Sequence, residues 1–237
     1  LYNQHPYGLP SSGEVDTIKK IRKKDLHDFY TNSYLSNELS IVIVGDISRR
    51  EAENFGNKIS LGFSENKMIS VIPSVDYNKG QNIEISHPAK QAHLFYGAPI
   101  IKRGDPDFLT LYLGNYILGG GGFVSRLTQE IREDRGLAYS VYSYFMPFIE
   151  VGPFQIGIQT KKSQVKQAKE LIQKTVSDFI KNGPTRSELR RAKDFMIGGF
   201  PLRLDSNKKI LEYVSMMAFY EYPLDYLETV SYTHLTL

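Results

Sequence analysis

Cysteine is absent from the 237 residues of this chain. Its absence excludes a disulfide scaffold, a cysteine nucleophile and any metal site built on thiolates. No apolar run reaches the length that a membrane-spanning helix needs. An excess of one charge is also missing, since 29 Lys and Arg face 26 Asp and Glu. The single basic cluster, Lys19–Lys24, is interpreted as a solvated helix face, so we predict no nucleic-acid partner.

The two ends of the chain have unusual sequences. The chain begins with Leu1 and not with Met, and it opens directly on His5-Pro6-Tyr7-Gly8, so we expect that upstream sequence is missing. Residues Ser231–Leu237 continue no pattern and are interpreted as a non-native end that follows a truncation. Between these ends, a hydrophobic fraction of 41% is enough for a sizeable core.

The first section, residues 1–63, is predicted to contain a helix, a strand and a second helix. Apolar and aromatic side chains recur at helical spacing from Asp25 to Ser33. The β-branched run Leu39–Val44 ends at a Gly-Asp pair, which predicts a buried strand. Ser48 and Glu51 form a capping box that predicts the start of the next helix. We interpret this section as the C-terminal part of a preceding α/β domain.

Residues 64–80 separate this section from a second domain, which we assign to residues 81–237. The separating stretch is rich in Ser, Asn, Lys, Pro and Gly and has no sustained apolar period, so it is predicted to be a linker. In the second domain the predicted order is strand, two helices, a hairpin of strands and further helices. Grouped strands joined by a hairpin favour the α+β class, with an antiparallel sheet and helices packed on one of its faces.

Several kinds of catalytic site can be excluded from their motifs. The glycine run Gly119–Gly122 follows a predicted helix and is not followed by Lys-Ser or Lys-Thr, so it is neither a dinucleotide fingerprint nor a phosphate loop. No Gly-x-Ser-x-Gly elbow of a serine hydrolase is present. None of the five histidines stands in a His-Glu-x-x-His or His-x-x-Glu-His pattern, so we predict no metal site in this sequence. The glycine run itself has two open interpretations, a packing need or a loop that faces a ligand.

One stretch carries a specific resemblance. The glycine run is followed by Ser125-Arg126-Leu127, then by Arg132 and, seven positions later, by Tyr139. This pattern resembles the second domain of the insulinase family of zinc metallopeptidases, which includes pitrilysin and the mitochondrial processing peptidases. The opening His-Pro-Tyr-Gly segment and the Val-Gly-Asp at 44–46 are similar to the end of the family's preceding domain. The resemblance covers nearly the whole chain to about residue 230.

The resemblance implies a function for this half of a peptidase. In the family, one half holds zinc and the other presents an Arg–Tyr pair across a shared cavity. By this likeness Arg132 and Tyr139 are candidate catalytic residues that would bind substrate and stabilise the oxyanion of peptide hydrolysis, and Gly120, Gly121 and Gly122 are candidate substrate-binding residues. Zinc is expected in a missing or partner half, and peptides are the expected substrates. The alternative for the pair is structural, with Arg132 at a helix C-terminus and Tyr139 packed in the sheet.

Three alternatives remain for the whole protein because the zinc motif is absent from these residues. The chain is a fragment of a longer peptidase, a separate subunit that works beside a zinc-bearing partner, or a catalytically inactive peptide-binding or assembly subunit of the same fold. The sequence does not determine the compartment, and the bacterial periplasm or cell envelope is one candidate.

Overall fold

The computed structural model describes residues 1–65, 71–76 and 80–227. The chain contains seven α-helices and three strands within these ranges. In chain order they are α1 Val15–Ile18, α2 Lys23–Ser33, α3 Arg49–Ser60, β1 Gln91–Ile101, α4 Phe108–Asn115, β2 Ala138–Phe145, β3 Gly152–Lys161, α5 Val165–Asn182, α6 Arg186–Gly199 and α7 Asn207–Phe219. No described helix combines the length and the apolarity that crossing a membrane requires.

The chain divides into two compact units. The first, here called the sheet unit, comprises Leu1, the described residues from Ser74 to Gly199, and Leu227. The second, the helical unit, comprises Tyr2–Pro73 and Phe200–Tyr226, so α7 groups with the first three helices. The predicted linker, residues 64–80, is only partly described, and the predicted non-native end, Ser231–Leu237, lies outside the described residues. The proposed domain limits therefore stay predictions.

A three-stranded antiparallel sheet in the order β1–β3–β2 forms the centre of the sheet unit. Ile156 and Ile158 lie on one face of β3, and both are buried. The helices cover this face, with Ala168 and Ile172 of α5 in the same core cluster. Each fully buried aliphatic side chain contributes about 1.5–3 kcal/mol, which explains why the sheet and its helices form one core. The predicted α+β class, with helices on one face of an antiparallel sheet, is confirmed.

A predicted element in the first section is not formed. The run Leu39–Val44 lies in no strand, and its residues are half-buried or exposed. A β-branched run can form a strand only when another strand accepts its backbone hydrogen bonds. The described residues of the helical unit provide no such strand, so the predicted helix–strand–helix order is wrong at its strand. The capping box of Ser48 and Glu51 is confirmed, because Ser48 Oγ accepts from the Glu51 amide at the start of α3.

Candidate functional site

Arg132 lies at the end of a short helix, residues 126–133, which we call the site helix. Its last six residues, Thr128–Glu133, form a π-helical turn. Leu127 and Ile131 of this helix are completely buried in the core of the sheet unit. Such π turns are rare overall, and those that are found often lie at functional sites. The buried residues fix the helix on the sheet and leave Arg132 partly open to solvent, with 32% of its side chain exposed.

Tyr139 lies at a β-bulge near the start of β2. The register pairs Ala138 with Thr160 and Ser140 with Gln159, so Tyr139 is the extra residue without a partner on β3. A bulge turns a side chain away from the regular alternation of a strand and is frequent beside active sites. Here it leaves Tyr139 80% exposed between the buried Ala138 and the rest of the strand.

Gly136 connects these two residues. Its φ is +60°, a value that favours glycine, and its amide donates to the Arg132 carbonyl at 2.9 Å. The next amide, that of Leu137, donates to the Ile131 carbonyl at 2.9 Å. The chain therefore reverses directly after the site helix, and the buried Leu137 anchors the start of β2. This reversal is what brings two side chains seven positions apart to the same place.

Arg132 and Tyr139 are in direct contact. The guanidinium carbon of Arg132 lies 5.5 Å from the ring centroid of Tyr139, within the range of a cation–π interaction. Arg132 Nε lies 3.4 Å from a carboxylate oxygen of Glu133, and the terminal nitrogens of Arg132 find no hydrogen-bond partner among the described residues. The Tyr139 hydroxyl likewise makes no hydrogen bond within the described part of the chain. Both groups are therefore adjacent, solvent-accessible and able to donate to a ligand.

The glycine run has a structural explanation at each position. A Cβ atom added at Gly119 would lie 2.8 Å from the Leu127 side chain. One added at Gly120 would lie 2.7 Å from the side-chain nitrogen, Nδ2, of Asn115. At Gly121 it would lie 2.6 Å from the Tyr116 carbonyl. Gly122 has open space around it but a φ of +60°. Packing and backbone conformation thus account for all four glycines, and the substrate-binding role of Gly120, Gly121 and Gly122 stays a prediction.

A buried polar pair attaches the glycine run to β2. Asn115 Nδ2 donates to the Ser143 carbonyl at 3.2 Å, and Ser143 Oγ donates to Asn115 Oδ1 at 2.6 Å. Both residues are buried, so each polar group needs its partner. Asn115 is the last residue of α4 and precedes the π turn Tyr116–Gly120. The pair holds this turn on the strand that carries Tyr139.

Ser125-Arg126-Leu127, the motif on which the resemblance rests, is structural in each of its residues. Ser125 is buried and donates through Oγ to the Gly122 carbonyl at 2.7 Å. Arg126 forms a two-pronged ion pair with Glu188 of α6, with both N–O distances at 2.7 Å. This pairing lowers the pKa of Glu188 to about 2, mainly because the carboxylate accepts from the Arg126 guanidinium. The motif therefore positions the site helix and does not itself face the site.

Phe123 is a site neighbour that sequence reasoning missed. Residues Gly122–Val124 form a 3₁₀ turn that precedes the site helix. Phe123 is 63% exposed and Val124 is 64% exposed. The ring centroid of Phe123 lies 4.6 Å from the Arg132 guanidinium carbon. The only signal in the sequence was a large aromatic residue directly after a glycine run, which does not by itself indicate an exposed position.

The residues described by the structure do not fit a metal site. Within residues 1–65, 71–76 and 80–227, no group of three or more His, Cys, Asp or Glu side chains could hold a metal ion.

Comparison with known proteins identifies the class of domain. A family model described as the peptidase M16 inactive domain matches residues 20–196, which include the whole site. The fold agrees, since a solved structure of a peptidase M16 inactive domain from Pseudomonas fluorescens superposes with a TM-score of 0.95 at 36% identity. That superposition covers 100% of this chain and 57% of the other. The chain belongs to the M16 peptidase family and matches its inactive domain.

Two curated relatives are similar over most of this chain. The first is named uncharacterized zinc protease YmxG of Bacillus subtilis and is 29% identical over 86% of this chain and 49% of its own length. The second is named non-peptidase homolog YmxG of Helicobacter pylori and is 30% identical over 97% of this chain and 53% of its own length. The chain thus spans about half the length of these relatives.

Proposed function

We propose that this chain is the zinc-free half of an M16 metalloendopeptidase, in which Arg132 and Tyr139 bind the peptide and stabilise the oxyanion of hydrolysis. The observation that carries this proposal is the direct contact of the two side chains, 5.5 Å from guanidinium carbon to ring centroid, at an open surface. Their donors have no hydrogen-bond partners among the described residues. They are therefore available to the carbonyl oxygen of a substrate.

The chemistry of peptide hydrolysis explains why this pair would matter. Negative charge develops on the carbonyl oxygen when the peptide bond is attacked, and donors aimed at that oxygen stabilise the transition state. Tyr139 supplies one O–H, and Arg132 supplies a rigid fork of N–H groups that also suits backbone carbonyls. The zinc-bearing half, expected in the rest of the protein or in a partner subunit, would supply the attacking water.

Site variants test this proposal in the full-length protein, or in this chain combined with its zinc-bearing half. Cleavage of fluorogenic peptides is measured for Arg132→Ala and Tyr139→Phe. Removing one oxyanion donor typically lowers kcat about 10²–10³-fold, and we expect losses of that order. Arg135→Ala and Tyr142→Phe are matched controls, because Arg135 pairs with Glu130 and Tyr142 lies over Gly157. Activities of both site variants within twofold of wild type would remove their assigned role.

The second candidate is a catalytically inactive subunit that binds peptides or supports assembly. It is favoured by the Helicobacter pylori relative, which is named a non-peptidase homolog. The same variants distinguish the two candidates when binding of labelled peptides is followed by fluorescence anisotropy. The inactive subunit would be supported if the wild-type protein cleaves no peptide and Arg132→Ala weakens peptide binding.

A further inference from the structure

Phe123 is a large aromatic residue that the site exposes without a packing reason. It is 63% exposed, although burial of such a ring is favourable. Its ring centroid lies 4.6 Å from the Arg132 guanidinium carbon, nearer than the 5.5 Å of Tyr139. The Arg132 guanidinium therefore contacts both rings. Three elements, a turn, a helix and a strand, thus each contribute one side chain to a Phe–Arg–Tyr cluster.

We propose that Phe123 is a positioning residue, whose ring holds the Arg132 guanidinium beside Tyr139 with its donors open to substrate. This inference rests on the proposed function of the Arg–Tyr pair. An aromatic ring attracts a guanidinium through its face, while the N–H donors of Arg lie in the guanidinium plane. Contact with the ring therefore fixes the plane of Arg132 and leaves its donor edge accessible.

The backbone around Phe123 is fixed well enough for this role. Before it, the Gly121 amide donates to the Tyr116 carbonyl at 2.8 Å. After it, the completely buried Ser125 donates through Oγ to the Gly122 carbonyl at 2.7 Å, and its Oγ lies 3.0 Å from Thr128 Oγ1. Thr128 belongs to the same helix as Arg132. The turn that carries Phe123 is thus attached to the helix that carries its partner.

Arg132 has a competing partner that makes a positioning residue necessary. Glu133 lies next to it in sequence, with Nε and Oε1 3.4 Å apart, outside good hydrogen-bond distance. Without the ring of Phe123, the guanidinium is free to turn and form a closer ion pair with this carboxylate. That rotation would direct its donors to Glu133 and away from the surface shared with Tyr139.

The test uses Phe123→Leu, which removes the ring, and Phe123→Trp, which restores one. Val124→Ala is the control, since Val124 is an equally exposed neighbour in the same turn. The first readout is the NMR signal of the Arg132 Nε–H in this chain, which a ring face displaces. Because the Tyr139 ring also faces this guanidinium, we expect the displacement to become clearly smaller in Phe123→Leu and to be kept in Phe123→Trp and Val124→Ala. An unchanged Arg132 signal in Phe123→Leu would overturn the inference.

The second readout is peptide cleavage by the full-length protein. We expect kcat to fall roughly three- to tenfold in Phe123→Leu, from the weak but favourable cation–π contact, with KM changed less. Phe123→Trp should recover activity, which a purely structural role would not predict. If Phe123→Leu reduces the NMR displacement but neither Phe123→Leu nor Arg132→Ala alters cleavage, the Phe123–Arg132 contact is supported and the proposed function is rejected. If Arg132→Ala strongly reduces cleavage but Phe123→Leu leaves the NMR signal unaltered, the proposed function is supported and the positioning role of Phe123 is rejected.

Discussion

Helix α5 of the sheet unit and helices α2 and α3 of the helical unit all have an apolar side, yet only α5 buries it. Ala168 and Ile172 of α5 are at most 1% exposed, whereas α2 and α3 contain no buried residue. In α2 both Leu26 and Phe29 are more than half exposed. Periodicity creates an apolar face, but burial needs a second surface to cover that face. In the sheet unit this surface is the sheet itself.

The largest expected difference between the units concerns their apolar side chains. Ile131→Ala in the sheet unit removes a completely buried side chain and should lower the free energy of unfolding by about 3–4 kcal/mol, because a cavity remains. Leu26→Ala in the helical unit removes a side chain that is 61% exposed. This substitution should change the free energy of unfolding by less than about 0.5 kcal/mol. Urea denaturation measures both. Equal losses would mean that the apolar side of α2 is covered.

Glycines in the two units should respond in opposite directions to alanine. Gly119→Ala would place a methyl group 2.8 Å from Leu127 and 2.9 Å from the Ser143 backbone nitrogen, and should cost about 2–3 kcal/mol. Gly56 lies inside α3, and a Cβ added there would have its nearest neighbour 3.7 Å away. Gly56→Ala should therefore stabilise the folded protein by about 0.5–1 kcal/mol, because alanine has the higher helix propensity. Melting temperatures would show the opposite signs. A stable Gly119→Ala variant would contradict the packing explanation of the glycine run.

The smallest expected difference concerns ion pairs. Glu188→Gln breaks the pair with Arg126, in which the side chains are 17% and 22% exposed, and should cost about 1.5 kcal/mol at neutral pH. Glu53→Gln breaks an exposed pair with Arg49, with side chains 59% and 92% exposed, and should cost less than about 0.5 kcal/mol. Thermal unfolding of both variants is measured at low and high salt. Only the stability lost with the exposed pair should depend on the salt concentration.

The same ion pair predicts a pH dependence. The folded protein lowers the pKa of Glu188 from 4.5 to about 2, so the unfolded chain binds a proton there at higher pH than the folded one. The stabilisation from this group is therefore complete above pH 4.5 and is lost as the pH falls towards 2. Unfolding measured across that window should be less acid-sensitive in Glu188→Gln than in wild type. Identical acid profiles would show that the pair does not control this transition.

Local patterns in the sequence predicted most of the elements of the sheet unit. Helix α5, Val165–Asn182, is one of the further helices predicted after the hairpin. The capping box of Thr185 and Glu188 is present at the start of α6, with the Thr185 hydroxyl donating to the carboxylate at 2.8 Å. Such signals are local, because caps and periodic faces depend on residues within a few positions of each other. They were reliable for α5 and for the start of α6.

Non-local features could not be predicted in the same way. The run Leu39–Val44 has strand propensity but pairs with no strand among the described residues, and propensity alone does not form a ladder. The two π turns, Tyr116–Gly120 and Thr128–Glu133, were not predicted from the sequence, and both contain residues buried in the core. The bulge at Tyr139 depends on how β2 aligns with β3. Each of these features is set by contacts between distant parts of the chain.

By itself, the sequence determined the α+β class and the order of the helices and the hairpin, since caps and periodicity are properties of neighbouring positions. Its resemblance to a peptidase family marked Arg132 and Tyr139 as residues to test. Only the tertiary structure decided that these two side chains touch, that Phe123 joins them and that the glycine run serves close packing. The physical reason is that the reversal at Gly136, the bulge in β2 and the buried pair of Asn115 and Ser143 act together, and none of them has an effect until the sheet and its helices have packed.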